Sequence, residues 1–276
     1  MSWTQIKNVF CHKKRQQNKK FGLALGGGAA RGVAHIGLIR RLEEYSIQPD
    51  TVAGTSMGSI IAALYALGIS SDDMQKIASS IKIVQILDFK PFTDIMKRSA
   101  IKKALLPYIG DKTFTDTKIP LKIIATNIKT GESHIFKSGK IIDAILASSS
   151  IPGVFSPYKI GENYFIDGGM TDNLPLFTLE NMPVIASSVM LPSGKDISKK
   201  SFLIKRFSVM HGAYTIMINH QEKMAVQLFK KPIHLLRLEN STVDYFDFSD
   251  TNILIEEMYK KSEGILRFLK KIKVKS

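Results

Sequence analysis

The sequence predicts an α/β fold built on a mainly parallel sheet, and three observations carry that prediction. From Phe21 onward short apolar runs alternate with helical periodicity, strand then helix, twice in succession, the order of a parallel sheet with right-handed crossovers. Two glycine-rich turns, residues 26–32 (GGGAARG) and 54–58 (GTSMG), each close an apolar run and open a helical pattern. No repeat, low-complexity block or Gly/Ser/Pro linker divides the 276 residues, of which 44% are hydrophobic. That supply is ample for one large core.

The elements follow in order. Residues 21–25 read as a short buried strand, and 33–45 as a helix with Val33, Ile36, Leu38 and Leu42 inward. A second strand at 51–53 follows the Pro49-Asp50 turn. Residues 59–67 form a helix so apolar that it must lie beneath the sheet, stopped by Gly68. Residues 70–118 read as amphipathic helices broken at Pro91 and Pro107, either a cap over the site or a surface pair. Strands are expected at 121–126, 134–136, 158–160, 164–166, 184–189 and 234–238, and helices at 141–147, 197–229 and 251–269. The hairpin around Gly161-Glu162-Asn163 delivers Asp167-Gly168-Gly169. Trp3, Ile6 and Phe10 recur at helical spacing among basic residues, which suits either an interfacial helix or a frayed terminus.

Charge is placed unevenly. The net charge is +15, yet residues 1–20 carry six Lys/Arg and no acid, and residues 260–276 carry seven against one Glu. The domain division that follows is a basic extension at 1–20, one α/β domain at 21–259 and a basic end of the last helix at 260–276. Such ends suit an anionic membrane surface or solvent, whereas a near-neutral body without a base-reading module disfavours nucleic acid. One cysteine, Cys11, no apolar leader and no run of about 20 apolar residues predict a cytoplasmic protein, peripheral at a membrane if its ends bind one.

The chemistry is in the two turns. Gly-x-Ser-x-Gly at Gly54-Thr55-Ser56-Met57-Gly58 is a sharp strand-to-helix turn that leaves a serine hydroxyl exposed. The 26–32 turn offers unobstructed N–H groups at a helix N-terminus, which accept an oxyanion. A nucleophile beside donors for the charge its attack creates describes acyl transfer. Dinucleotide binding fits worse, because strict G-x-G-x-x-G spacing needs glycine where Ala29 stands, and it leaves Ser56 unexplained. His211, His220 and His234 follow the serine but sit in apolar-periodic surroundings. Asp167 ends a strand before two glycines and is placed to act as base in a dry site. It also fits a simple turn-initiating aspartate.

The ordered motifs GGGAARG, GTSMG and DGG, with ASSSIPGVF at 147–155, resemble the patatin-like phospholipase family over residues 20–180. The resemblance implies a three-layer α/β/α sandwich around a mainly parallel sheet, with Ser56 as nucleophile and Asp167 as base. It implies an oxyanion hole from the N–H groups of Gly27, Gly28 and Ala29 with Arg31 close by, and cleavage of acyl esters of phospholipids, lysophospholipids or neutral lipids without a metal or other cofactor. Ala29 departs from an all-glycine loop, and its methyl bears on the shape of the hole. The rival reading is an idle membrane- or partner-binding adaptor on the same fold. Oligomeric state is not encoded in any of these motifs.

Overall fold

Strand β1 (Gly22–Leu25) is buried along its whole length and pairs in parallel with β2 (Thr51–Thr55) on one side and β7 (Val184–Ser188) on the other. The computed structural model in which it lies describes residues 20–80, 98–190, 202–239 and 251–272. Strand β3 (Leu121–Asn127) extends the parallel set beyond β2, and β8 (Ile233–Arg237) extends it beyond β7. Antiparallel strands complete one side: β4 (Ser133–Phe136) and β6 (Asn163–Asp167) both pair β3, and β5 (Tyr158–Ile160) pairs β6. Strands buried on both faces read as continuous apolar runs, which is why β1 carries no polar residue and β2 and β7 carry only the small hydroxyl residues Thr51, Thr55, Ser187 and Ser188.

The two sheet faces separate by the two-residue period of a strand. Leu23, Leu25, Val52, Ile123, Ile185 and Leu236 point into the larger core. There they meet α1 (His35–Glu44), α2 (Met57–Ala66), α3 (Ser71–Ser80), α4 (Arg98–Ile109) and α5 (Ile141–Ser148). Ala24, Ala53, Ile124 and Ala186 face the other way. Ala225 and Phe229, in and just beyond the 27-residue helix α6 (Phe202–Leu228), cover them. Small residues on that face let α6 lie close to the sheet, and the result is a three-layer α/β/α arrangement.

Four expectations need correction. Pro107 does not break a helix; it lies in the last turn of α4, where its missing N–H costs one backbone hydrogen bond and the helix ends two residues later at Ile109. The last helix is not continuous. It runs as α7 (Thr251–Lys261), a 3-10 turn (Ser262–Gly264) and α8 (Ile265–Lys271). The domain does not end at 259, because Ile265, Leu269 and Ile272 are buried in the larger core. The lysines around them occupy the outer face of a packed helix. Helix α1 also starts later than periodicity suggests, after a 3-10 turn at Ala29–Ala34. The expected break at Pro91, the stretch around Ile95 and the N-terminal Trp3/Ile6/Phe10 pattern lie outside the described residues.

Candidate active site

Ser56 stands at the junction of β2 and α2 with φ +53° and ψ −125°, a strained conformation for a residue with a side chain. Small neighbours permit the turn. A Cβ on Gly58 would run into the Leu25 carbonyl, and one on Gly54 into the Gly58 carbonyl. Hydrogen bonds fix the strained residue from both ends. Its N–H donates to Ser148 Oγ at 2.8 Å, and its carbonyl accepts from Ser59 N and Oγ at 2.9 and 2.6 Å. Thr55 Oγ1 donates to the Asp172 carbonyl at 2.9 Å, and Met57 opens α2 against Gly32 of the glycine loop.

Asp167 reaches Ser56 because of strand register. Ile124 of β3 pairs Thr55 on one edge and Ile135 of β4 on the other, whereas Ala125 pairs Asp167 and His134. Strands β2 and β6 therefore share one edge of β3 and meet head-on, with Thr55 and Asp167 at consecutive register positions. Ser56 Oγ donates to Asp167 Oδ2 at 2.6 Å. Asp167 Oδ1 accepts from Gly169 N at 2.8 Å and Tyr214 OH at 3.1 Å. Gly168 allows the approach, since a Cβ there would strike the Ile124 carbonyl. Asp167 is 1% exposed, and burial pushes its pKa up to about 6 against the opposing pull of those three hydrogen bonds. It is thus a carboxylate near neutral pH with raised basicity, as proton transfer from a serine requires.

The glycine loop lies alongside. Gly26 N donates to the Ser187 carbonyl at 2.9 Å, and Gly27 N to the Asn173 carbonyl at 3.3 Å. Gly28 precedes the 3-10 turn and Ala29, at φ +47°, begins it. Gly28, Ala29, Ser56, Asp167 and Asn173 line one pocket together with residues of α6. Arg31 is buried within the 3-10 turn and is not among the residues lining that pocket. The Ala29 methyl and Tyr214 both pack against the cluster of Met190 and Ile218.

The pocket is narrow, with about 20 Å³ of space, enough for about one water molecule. Next to it is an apolar cleft of about 240 Å³ lined by Ile151, Pro152, Val154, Met170 and, from α6, Met210, Ala213 and Met217. Ile151, His211 and Tyr214 border both spaces. Of the histidines weighed as partners for Ser56, His211 lines the pocket, His220 is exposed, and His234 stacks on Phe268 at 5.2 Å. The hydrogen bonds of Ser56 and Asp167 involve none of them.

Several working residues escape sequence reasoning. His35 is fully buried and bridges the Gly26 carbonyl through Nε2 and Ser187 Oγ through Nδ1, each at 2.8 Å. A carbonyl only accepts, so Nε2 carries the proton and Ser187 donates to Nδ1. Asn173 Nδ2 donates to the Gly27 carbonyl at 3.2 Å and to Glu222 Oε1 at 2.7 Å. Ser148 Oγ donates to the Ile124 carbonyl at 2.5 Å while accepting from Ser56 N. Each looks like filler in the sequence; only the buried-polar rule, that such groups must find partners, points at them.

A serine at a strand-to-helix elbow, an aspartate bonded to it and a glycine loop beside both, on a three-layer α/β/α frame, define a class of fold and site. The family model of the patatin-like phospholipases matches residues 23–179, more than half of the chain and all of those motifs. The chain belongs to the patatin-like phospholipase family. It is 34% identical over 161 residues to an uncharacterised NTE family protein of Mycobacterium tuberculosis, covering 57% of this chain and 44% of that protein. It is 31% identical over 183 residues to lysophospholipase NTE1 of Debaryomyces hansenii, covering 63% of this chain and 12% of that one. The chain thus spans less than half the length of these relatives. In fold it is similar to VipD from Legionella pneumophila, with a TM-score of 0.54 at 13% identity over 92% of this chain and 67% of that one.

Proposed function

We propose that this chain is a serine acyl hydrolase that cleaves carboxylic esters of phospholipids, lysophospholipids or related lipids through a Ser–Asp dyad. The observation that carries the reading is the 2.6 Å hydrogen bond from Ser56 Oγ to the buried Asp167 carboxylate. Family membership and the lysophospholipase among its relatives support that substrate class.

Ser56 Oγ attacks the ester carbonyl while Asp167 Oδ2 takes its proton. The oxyanion lies against the N–H groups of Gly28 and Ala29; that of Gly27 is already engaged with the Asn173 carbonyl. Collapse expels the alcohol, which receives the proton from Asp167 and leaves an acyl-Ser56. A water then takes the alcohol's place, loses its proton to Asp167, and releases the fatty acid with Ser56 restored. The basic ends, above all residues 1–20, hold the protein against anionic lipid and bring substrate to the site.

Labelling with a fluorophosphonate probe tests the reading. The wild-type protein is expected to be labelled, Ser56→Ala not at all, and Asp167→Asn at a rate at least about 10³-fold lower. Undiminished labelling of Asp167→Asn with loss in His211→Ala would move the base to the histidine. A folded wild-type protein that resists the probe would favour the idle adaptor.

A further inference from the structure

Tyr214 is not claimed by the dyad or by the oxyanion loop, yet it touches both spaces of the site. It lies on α6, the helix that covers the thin face of the sheet, and its hydroxyl donates to Asp167 Oδ1 at 3.1 Å. That oxygen is the one not bonded to Ser56, so the two carboxylate oxygens are divided between the two hydroxyls. The backbone makes room for this contact. A Cβ at Gly169 would sit 2.6 Å from the Tyr214 hydroxyl, 2.8 Å from Asn173 Oδ1 and 3.0 Å from Asp167 Oδ1. The second glycine of the Asp-Gly-Gly turn thereby leaves space for a hydroxyl arriving from a helix about 45 residues away in the chain. Tyr214 also borders both the water-sized serine pocket and the apolar cleft that opens beside it.

We propose that Tyr214 is a positioning and specificity residue: its hydroxyl holds Asp167 with Oδ2 aimed at Ser56, and its ring is the wall along which the acyl chain passes from the apolar cleft to the serine. The specificity half rests on the acyl-hydrolase reading; the positioning half does not. A carboxylate with two anchors, Gly169 N–H and Tyr214 O–H, on one oxygen cannot rotate away from the serine without breaking both. Because both donors stabilise the charged form, removing the tyrosine hydroxyl makes Asp167 easier to protonate. Among the described residues, few other titratable groups stand near Asp167. His211 of α6 lines the same pocket, and Glu222 of α6 and Asp172 stand behind Asn173, where Glu222 bonds Asn173 and Ser188.

The test has two readouts on the intact chain. The first follows isotope-labelled aspartate carboxyls by NMR across pH, with Asp167 assigned by its disappearance in Asp167→Asn. In Tyr214→Phe the Asp167 midpoint is expected to rise by about half a pH unit to one pH unit. Gly169→Ala, which displaces the hydroxyl but keeps it, is expected to do the same. A midpoint in Tyr214→Phe that superimposes on wild type overturns the positioning role, whatever the protein does to esters. The second readout is hydrolysis of para-nitrophenyl esters of increasing acyl length. Tyr214→Phe is expected to lower kcat on the acid side of the profile by about 3- to 10-fold with KM unchanged. Tyr214→Ala, which also removes the ring, is expected to change KM for long-chain esters about tenfold and for butyrate hardly at all. Equal effects at every acyl length overturn the wall. If the NMR midpoint rises but no ester is turned over even by wild type, the positioning role stands and the specificity role falls with the hydrolase reading.

Discussion

Burial of the ionised Asp167 carboxylate costs folding free energy. An unfolded aspartate titrates near 3.8, and in the folded protein Asp167 does so at about 6. The folded state therefore holds its proton more tightly. The contribution of this group is fully present below pH 4, declines as pH rises through 6, and is absent above that. Asn cannot ionise, so Asp167→Asn should raise stability at pH 8 by about 1–3 kcal/mol while removing turnover. At pH 4 it should gain nothing. Thermal unfolding at the two pH values measures the difference directly; a variant no more stable at pH 8 than wild type would show that Asp167 is not ionised at a cost. The same titration sets the acid side of the wild-type rate profile, with a midpoint near 6. The place of Asp167 at a strand end was legible in the sequence because two glycines follow it. Its second oxygen's partner was not, because Tyr214 lies in a long helix of mixed apolar and polar residues whose register against the sheet no local pattern reveals.

At the scale of elements, the site depends on how closely backbones approach. Helix α2 starts against the end of β1, and a methyl on Gly58 would meet the Leu25 and Gly26 carbonyls, which cannot give way without moving the glycine loop. Gly58→Ala should cost about 1–3 kcal/mol or more, and its probe labelling should fall further than its loss of folded protein explains. Denaturant titration beside labelling of the folded fraction separates the two. His35 ties the loop from the opposite side. Burial lowers its pKa from 6.5 to about 4, so the folded protein keeps it neutral while the unfolded chain gains a proton below 6.5. Its contribution is present above pH 6.5 and is lost as pH falls towards 4. Replacing it by Ala strands the Gly26 carbonyl and leaves the Ser187 hydroxyl only the Met258 sulfur at 3.7 Å, at about 2–4 kcal/mol, and should make stability less sensitive to pH between 4 and 6.5. The strands and helices of the first 70 residues were readable because they are long apolar runs punctuated by glycine. The 3-10 turn at Ala29–Ala34 and the break at Ser262–Gly264 were not, since both keep helical spacing of apolar residues while changing only the turn's pitch.

Over the whole molecule, charge and fold are arranged separately. Net charge is +15, and residues 1–20 supply six of the cations without an acid. The C-terminal cluster differs in kind: Ile265, Leu269 and Ile272 are in the core, while Arg267, Lys270 and Lys271 are exposed on the same helix. Deleting that stretch would remove core side chains along with charge, so a truncation confuses unfolding with lost binding. Charge swaps in the intact chain do not. Basic residues near an anionic bilayer contribute about 1 kcal/mol each. Changing all six in residues 1–20 to Gln should therefore lower partitioning onto vesicles containing phosphatidylserine by at least about 10²-fold, with no loss of fluorophosphonate labelling in solution. Wild-type binding should fall steeply as salt is raised, because the contacts are screened over about 10 Å at 0.1 M. Co-sedimentation with anionic and with neutral vesicles measures both. Partitioning that survives the swap and resists salt would assign membrane contact to an apolar surface of the folded body. The exposed Met217, Met224 and Leu228 of α6, on the helix that also walls the cleft, would then be the next residues to change.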